Sequence, residues 1–455
     1  MLKGLKVVLM ENTGYGLRVK ELLESSGAKL FDIVSVRLKD GLTLRGILLP
    51  RPSTGEPDAL VLKLENGYNV GILADNIVEV KPEEKGYTKQ ESREKQERTG
   101  NVKDVVYFIG TGGTIASRVD YATGAVYPYF SVEDIYEMIP ELNDIAFIKS
   151  ETLFNIFSED MTPRHWEEIA RKAGEVFKKD APMGIVVAHG TDTMHYSAAA
   201  IGFAVQRAPG PIVFTGAQRS SDRPSSDSAL NVIGATLTAV KAPFAESVIV
   251  MHGSVSDDFL LVHRGVRSRK MHTSRRDAFM SINELPLGKV DPYSGTMEVY
   301  IKEFKRRSDD LEVYPKFSDK VALVKFYPGM TSSILEFYRN EGYRGLVIEG
   351  TGLGHVNSGL IRSIGELIKE GMMIVMASQC LFGSVNMNVY RTGVELLKAG
   401  VLPAGNMIPE AAYVKLSWVL GQTDDISEAH KLFYTNISYE FSDRNEYRFY
   451  PGAWW

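Results

Sequence analysis

The chain has one cysteine, Cys380, in 455 residues. A lone thiol excludes an internal disulfide framework and fits a reducing compartment. It follows the apolar run MMIVMASQ, so the plain reading is an inert position near a buried strand end, and the sharper one a nucleophile. Long apolar runs are also missing. None reaches the roughly 18 residues of a spanning helix. The opening MLKGLKVVLMENTG lacks the apolar length and cleavage site of a secretion signal. The chain therefore reads as cytoplasmic, with no membrane role. It has no excess of positive charge either. With 52 Lys and Arg against 57 Asp and Glu, the formal net charge is −5, and the whole surface does not attract nucleic acid unaided. Its eight histidines include no HExxH and no paired Cys/His spacing, so no metal-ligand pattern is present.

What is there describes an ordinary globular protein, 44% hydrophobic and 24% charged, and longer than one core usually holds. Residues 1–80 read as a small β-barrel module. The runs FDIVSVRL, LTLRGILLP, ALVLKLE and YNVGILADNIVEV are short and rich in Val, Ile and Leu, and KDG, RPSTGEPD and NG separate them. Asp-Gly and Asn-Gly between apolar runs are strong hairpin signals. The stretch GLRVKELLESSG adds a helix. Residues 81–103 are charged and nearly without large apolar side chains, which predicts a solvated linker or charged helix. From residue 104 the rhythm changes. DVVYFIG, GIVVAH, PIVFTG and SVIVMHG are near-continuous apolar runs alternating with helical segments, the pattern of strands covered on both faces in a parallel or mixed sheet. Thr162-Pro163 and Ser131 are helix-start signals. A second set, KVALVKFYP, GLVIEG and MMIVMAS, follows a charged connector. The fold class is α/β: a larger domain over 104–298, a connector over 299–319 and a smaller α/β domain over 320–455.

Ligands in open α/β sheets bind beyond the carboxyl ends of strands, and two polar clusters fall there. GTGGTIAS, from Gly110, offers Thr111 and Thr114 as hydroxyls on a glycine turn. It is neither a Walker loop nor a GxGxxG motif, and the bland reading is a tight turn. HGTDT, from His189, offers Gly190, Thr191, Asp192 and Thr193. The bland reading there is a helix cap, although three polar groups after a glycine exceed what capping requires. HRGVRSRKMHTSRRDAF, residues 263–279, holds six Lys and Arg including Lys270, and on its face is a solvated basic loop.

Taken in this order, IGTGGTIAS, HGTDT and RGVRSRKMHTSRRDAF resemble the signature elements of the L-asparaginase/glutaminase family over residues 104–455. The resemblance implies a two-domain asparaginase-like core and amide hydrolysis through an acyl-enzyme. It makes Thr114 the nucleophile and Tyr121, in RVDYATG, the tyrosine of a lid over residues 117–126. Thr191 and Asp192 become the second threonine and its aspartate, with Asp192 also gripping the substrate's α-amino group. Lys270 becomes the lysine of the base network, and Ser158 a substrate-binding residue. The departures are Glu159 in place of a common glutamine, and Leu353 and His355 in GTGLGH in place of frequent asparagines; these bear on amino-acid preference. A threonine hydroxyl needs an activator. Lys270 serves either as the eventual base, through Thr191, or as a fixed charge beside a water relay: burial favours loss of its proton and Asp192 opposes it. Backbone amides near Gly113–Thr114 and Gly190–Thr191 suit an oxyanion.

An asparaginase-like core behind a barrel and charged linker also resembles the D-subunit family of archaeal glutamyl-tRNA(Gln) amidotransferases. That resemblance implies glutamine as ammonia donor and a partner, the E subunit, that amidates Glu-tRNA(Gln) with ATP and Mg²⁺. It implies no cofactor in this chain, and a homodimer of it within a heterotetramer. A free-standing L-asparaginase and an inactive RNA- or protein-binding scaffold are the alternatives.

Overall fold

A computed structural model describes residues 15–30, 32–51, 56–64, 69–84, 104–112, 117–120, 125–128, 135–136, 139–219, 226–446 and 449–450. Gly113, Thr114, Tyr121, Ser131 and most of the charged stretch 81–103 lie outside them. Residues 1–101, 116–129 and 219–226 make one compact unit and the remaining residues a second.

In the first unit the run YNVGILADNIVEV divides into two strands, Asn69–Leu73 and Ile77–Glu84, around the turn Ala74–Asn76. The antiparallel sheet runs in the order Asn69–Leu73, Ala59–Leu64, Thr43–Leu49, Ile33–Leu38, Ile77–Glu84. The two edge strands are joined by only three residues, so the sheet must roll back on itself, as a barrel does. Period-two alternation builds the interior. Val34 and Val36 point inward with Leu48, Leu60, Leu62, Ile72 and Val80, closed by Val19 and Leu23 of the helix Leu17–Ser26. Tyr15 ties the roll together: its hydroxyl donates to Leu49 O at 2.5 Å and accepts Val61 N–H at 2.9 Å. The last strand continues to Glu84, past the expected start of the linker at Lys81. On its outer face Glu83 takes Arg45 at 2.7 Å and the Ser35 hydroxyl, so charged residues extend the strand by cross-strand pairing. Ser117–Asp120 and Ala125–Pro128 form a separate antiparallel hairpin; its turn, with Tyr121, lies outside the described residues.

The second unit holds two sheets. The larger has the order Thr296–Val299, Gly288–Asp291, Leu260–Arg264, Ser247–His252, Ile212–Thr215, Gly184–Ala188, Val105–Gly110, Phe147–Thr152. The five strands from Ser247–His252 onward are parallel and the first three antiparallel, which makes the expected mixed sheet. Continuous hydrophobicity has its cause in two cores. Ile185, Val187, Phe214 and Ile249 face one, and Val186, Val213, Val248 and Phe108 the other. The smaller sheet, Val321–Lys325, Gly345–Gly350, Met373–Ser378 and Leu402–Pro403, is parallel throughout. It shares the first core through the helix Pro409–Gln422, whose Trp418 stacks on Phe203. The helix Pro163–Asp180 starts where Thr162-Pro163 predicts, and the His165 ring completes the cap by accepting Thr162 N–H at 3.0 Å.

The charged connector joins the fold: Glu312–Val313 pairs with Val205–Gln206, and Tyr314 O accepts the Trp418 indole N–H at 2.9 Å. Cys380 lies two residues past a wholly buried strand and is itself exposed.

The sheet order also places the site. From Val105–Gly110 the chain crosses to its neighbour on one side, Phe147–Thr152, and then to its neighbour on the other, Gly184–Ala188. A switch of this kind is where open α/β sheets place a ligand crevice, beyond the carboxyl ends of the strands. Thr111-Gly112 and HGTDT both begin there.

Candidate active site

Thr111 continues the strand pairing. Its N–H and its Oγ1 both donate to Ala188 O, at 3.0 and 2.8 Å, and it is 1% exposed. Its hydroxyl is therefore spent on the neighbouring strand, not presented by the turn. Gly112 has φ +108°, and a Cβ there would lie 2.0 Å from Ile156 O. Only glycine makes this turn, which leads directly to Gly113 and Thr114.

The HGTDT segment does not use its hydroxyls as a cap. The helix Met194–Ala204 has Thr193 at its cap position, but no side-chain cap bond forms. The Thr193 hydroxyl donates to Ser158 O instead. Thr193, the residue best suited to capping, thus tethers the Ser158–Asp160 turn to HGTDT. Ser158 is buried, and a Cβ on Gly190 would lie 2.7 Å from its Cβ and 2.9 Å from its Oγ. The absence of a side chain at Gly190 is what lets the two segments meet. Glu159 is exposed at the same turn.

Lys270 arrives from 79 residues away. Its Nζ donates to Thr191 Oγ1 at 2.8 Å and to Asp192 Oδ1 at 2.7 Å. The lysine side chain is 10% exposed and that of Asp192 69%. A largely buried ammonium therefore meets a carboxylate that keeps most of its surface open to a ligand. Because the ammonium only donates, Thr191 Oγ1 accepts from it and keeps its own O–H for another partner. Gly216 leaves room for the Thr191 methyl, since a Cβ there would lie 2.9 Å from it.

Alternation along the strand Ser268–Lys270 explains the aim of Lys270. Arg269 points the other way and pairs with Glu410 at 2.9 Å. The Ser268 end of this strand, paired with Ser281 of the strand Phe279–Ser281, is anchored to the smaller domain. Arg267 donates to Tyr439 O at 2.8 Å and Asn406 O at 3.1 Å, while Asn283 Nδ2 donates to Gly383 O at 3.0 Å and Asn406 O at 3.1 Å. Here the expectation of a solvated basic loop is corrected. Arg264 and Arg267 are both 2% exposed. Arg264 is neutralised by Glu246 at 2.6 Å and by Glu284. Burial pushes Arg267 down to about 10. Only residues 271–275 are exposed as expected.

Two histidines around HGTDT, His189 and His195, are buried and neutral. Burial brings His189 down to about 4. Burial, aided by the charges of Arg269 and Lys270, brings His195 down to about 3. Burial raises Glu410. No cluster of metal-ligating side chains occurs among the described residues, and none of their helices is long and apolar enough to cross a membrane.

Of the expected site residues, Thr191, Asp192, Lys270, Ser158 and Gly190 come together in one crevice. Glu159 lies on its turn facing solvent. Gly113, Thr114 and Tyr121 lie outside the described residues. The residues missed were Gly112, Gly216 and His189. Each ends or follows an apolar run at a parallel strand's carboxyl end, and that position was the available signal.

The asparaginase N-terminal family model matches residues 105–304, and the glutaminase/asparaginase C-terminal domain model residues 320–433. A GatD N-terminal domain model matches residues 28–82. The glutamyl-tRNA(Gln) amidotransferase D subunit of Thermofilum pendens is 63% identical, over 97% of this chain and 99% of that protein. The corresponding D subunit of Pyrococcus furiosus is 49% identical over 94% and 98%. Among solved structures, the thermostable L-asparaginase from Thermococcus kodakarensis superposes with a TM-score of 0.68 at 30% identity, covering 75% of this chain and all of that one. The chain belongs to the asparaginase family, in the branch formed by the D subunits of glutamyl-tRNA(Gln) amidotransferases.

Proposed function

We propose that this chain is the glutaminase subunit of a tRNA-dependent amidotransferase. It hydrolyses glutamine to glutamate and ammonia, and the ammonia converts Glu-tRNA(Gln) to Gln-tRNA(Gln) in a partner, the E subunit. The observation that carries this reading is coverage. A solved L-asparaginase accounts for 75% of the chain, whereas the amidotransferase D subunit of Thermofilum pendens accounts for 97%, the N-terminal module included. A free-standing asparaginase leaves that module without a counterpart.

The family likeness makes Thr114 the nucleophile and Tyr121 the tyrosine of the lid. Thr114 Oγ attacks the side-chain carboxamide carbon and its proton passes toward Thr191. The C–N bond breaks, and the nitrogen leaves as ammonia with a returned proton. Water then cleaves the ester to glutamate and free Thr114. Lys270, held at 2.8 Å from Thr191 Oγ1 and 2.7 Å from Asp192, stabilises the relay by its charge. The exposed face of Asp192 receives the substrate's ammonium, and Ser158 and Gly190 line the same crevice. Amides at Gly113–Thr114 and Thr191 stabilise the oxyanion. The chain holds no cofactor of its own; ATP and Mg²⁺ act in the partner, two copies of each chain assemble, and the complex works in the cytoplasm. The N-terminal module ends with its last strand at Glu84, and the divisions at residues 103, 298 and 319 follow the same reading.

The test is turnover of glutamine and asparagine by the purified chain, alone and with its tRNA-amidating partner. Glutamine-dependent formation of Gln-tRNA(Gln), lost in Thr114→Ala, is the expected result. Brisk asparagine hydrolysis that ignores the partner overturns it.

A further inference from the structure

We infer that His189 is a positioning residue for the reaction proposed above: it grips the Gly190 carbonyl from beneath and so aims the Thr191 amide as an oxyanion donor. The inference rests on the amidohydrolase reading for its reaction, but its geometry stands alone.

Hydrogen-bond chemistry places every proton in a buried chain. His189 Nδ1 lies 2.7 Å from Gly190 O. A carbonyl only accepts, so Nδ1 carries the hydrogen. In a neutral ring Nε2 is then an acceptor, and the Ser197 hydroxyl at 2.8 Å donates to it. Ser197 Oγ in turn lies 3.1 Å from Trp166 Nε1, which only donates. The order is Trp166 to Ser197 to His189 to Gly190 O, with no ambiguity of tautomer. The imidazole is fully buried, with the Phe214 ring 5.9 Å away.

The consequence lies one bond further on. In a trans peptide the C=O and the following N–H point in opposite directions. Holding the Gly190 carbonyl toward the imidazole turns the Thr191 N–H away from it. That N–H has no acceptor among the described residues, although Thr191 is only 9% exposed. This N–H belongs to the residue whose hydroxyl Lys270 holds. Among the described residues this donor is left open to a ligand oxygen.

The test pairs a spectroscopic with a kinetic measurement on the full-length chain. With ¹⁵N-labelled histidine, the His189 signal, assigned by its loss in His189→Asn, is expected to show a protonated Nδ1 and a bare Nε2 that do not titrate between about pH 5 and 8. The opposite tautomer, or titration in that range, overturns the inference whether or not the chain hydrolyses glutamine. His189→Asn keeps an N–H donor near the Nδ1 position, whereas His189→Gln reaches Ser197 but loses that donor. His189→Gln is expected to lower kcat about 10- to 100-fold with KM for glutamine within about threefold, and His189→Asn to lower it less than about fivefold. Equal losses in both that follow a fall in Tm mark a merely structural residue and overturn the inference. So does full kcat in His189→Gln. A wild-type chain that turns over no glutamine with its partner refutes the glutaminase reading itself, and the tautomer measurement then decides the hydrogen-bond chain separately.

Discussion

Replacing Gly190 with alanine tests how closely the two halves of the crevice are fitted. The backbone at Gly190 is not in the left-handed region, so alanine meets no conformational penalty and the effect is steric alone. Its Cβ would stand 2.7 Å from Ser158 Cβ and 2.9 Å from Ser158 Oγ, where ordinary contact begins near 3.4 Å. Ser158 must retreat by several tenths of an ångström. It cannot do so freely, because the Thr193 hydroxyl holds its carbonyl and the residue is 4% exposed. Overpacking of this kind costs about 1–3 kcal/mol of stability. A displacement approaching 1 Å between a binding group and a reacting group costs on the order of 100-fold in rate. Gly190→Ala is thus expected to stay folded, with a modestly lower Tm, and to lose about 10- to 100-fold in kcat/KM for glutamine, much of it in KM. The assay is steady-state glutamate release beside a thermal melt. Gly41→Ala serves as a stability control, since nothing lies within 4 Å of its added Cβ and its φ of +87° supplies strain alone. Unchanged kinetics in Gly190→Ala would refute the claim that Ser158 and HGTDT form one fitted surface.

Further outcomes follow from other contacts. Lys270→Met removes both bonds that hold Thr191 and Asp192 and is expected to lower kcat by at least about 100-fold while the chain stays folded, as read by circular dichroism; retained turnover refutes the relay. Lys415 and Glu440 pair with neither side chain exposed, so Lys415→Met alone is expected to cost about 3–5 kcal/mol in denaturant melts, and the double change Lys415→Met with Glu440→Gln to recover most of it. His189, His195 and His263 are held neutral by burial, at about 4, 3 and 4, below the roughly 6.5 of an unfolded histidine. As pH falls the unfolded chain takes up these protons first, so stability is lost between about pH 6.5 and 4 and regained on raising pH. Melts at intervals across that window check the sign, and a stability that rises on acidification refutes it.

Much of the architecture was legible in the residues alone. Short apolar runs broken by Asp-Gly and Asn-Gly marked the hairpins of the first 80 residues, and continuous apolar runs after residue 104 marked strands covered on both faces, because burial on both sides leaves no polar alternation. The threonine motifs stood out by their place at strand ends, and their family likeness named Thr191, Asp192, Lys270 and Ser158. What one side chain does when several roles suit it was not legible. Thr193 looked like a cap and tethers Ser158; Thr111 looked like a presented hydroxyl and bonds Ala188; Arg264 and Arg267 looked solvated and are buried. In each case the partner lies between 18 and 172 residues away. Local sequence carries the period of a strand and the chemistry of a side chain. It does not carry which distant carbonyl or carboxylate satisfies that side chain, because the crossovers of the parallel sheet decide that. The antiparallel return through Leu260–Arg264 to Ser268–Lys270 sets Lys270 against Thr191 and brings distant segments into one site.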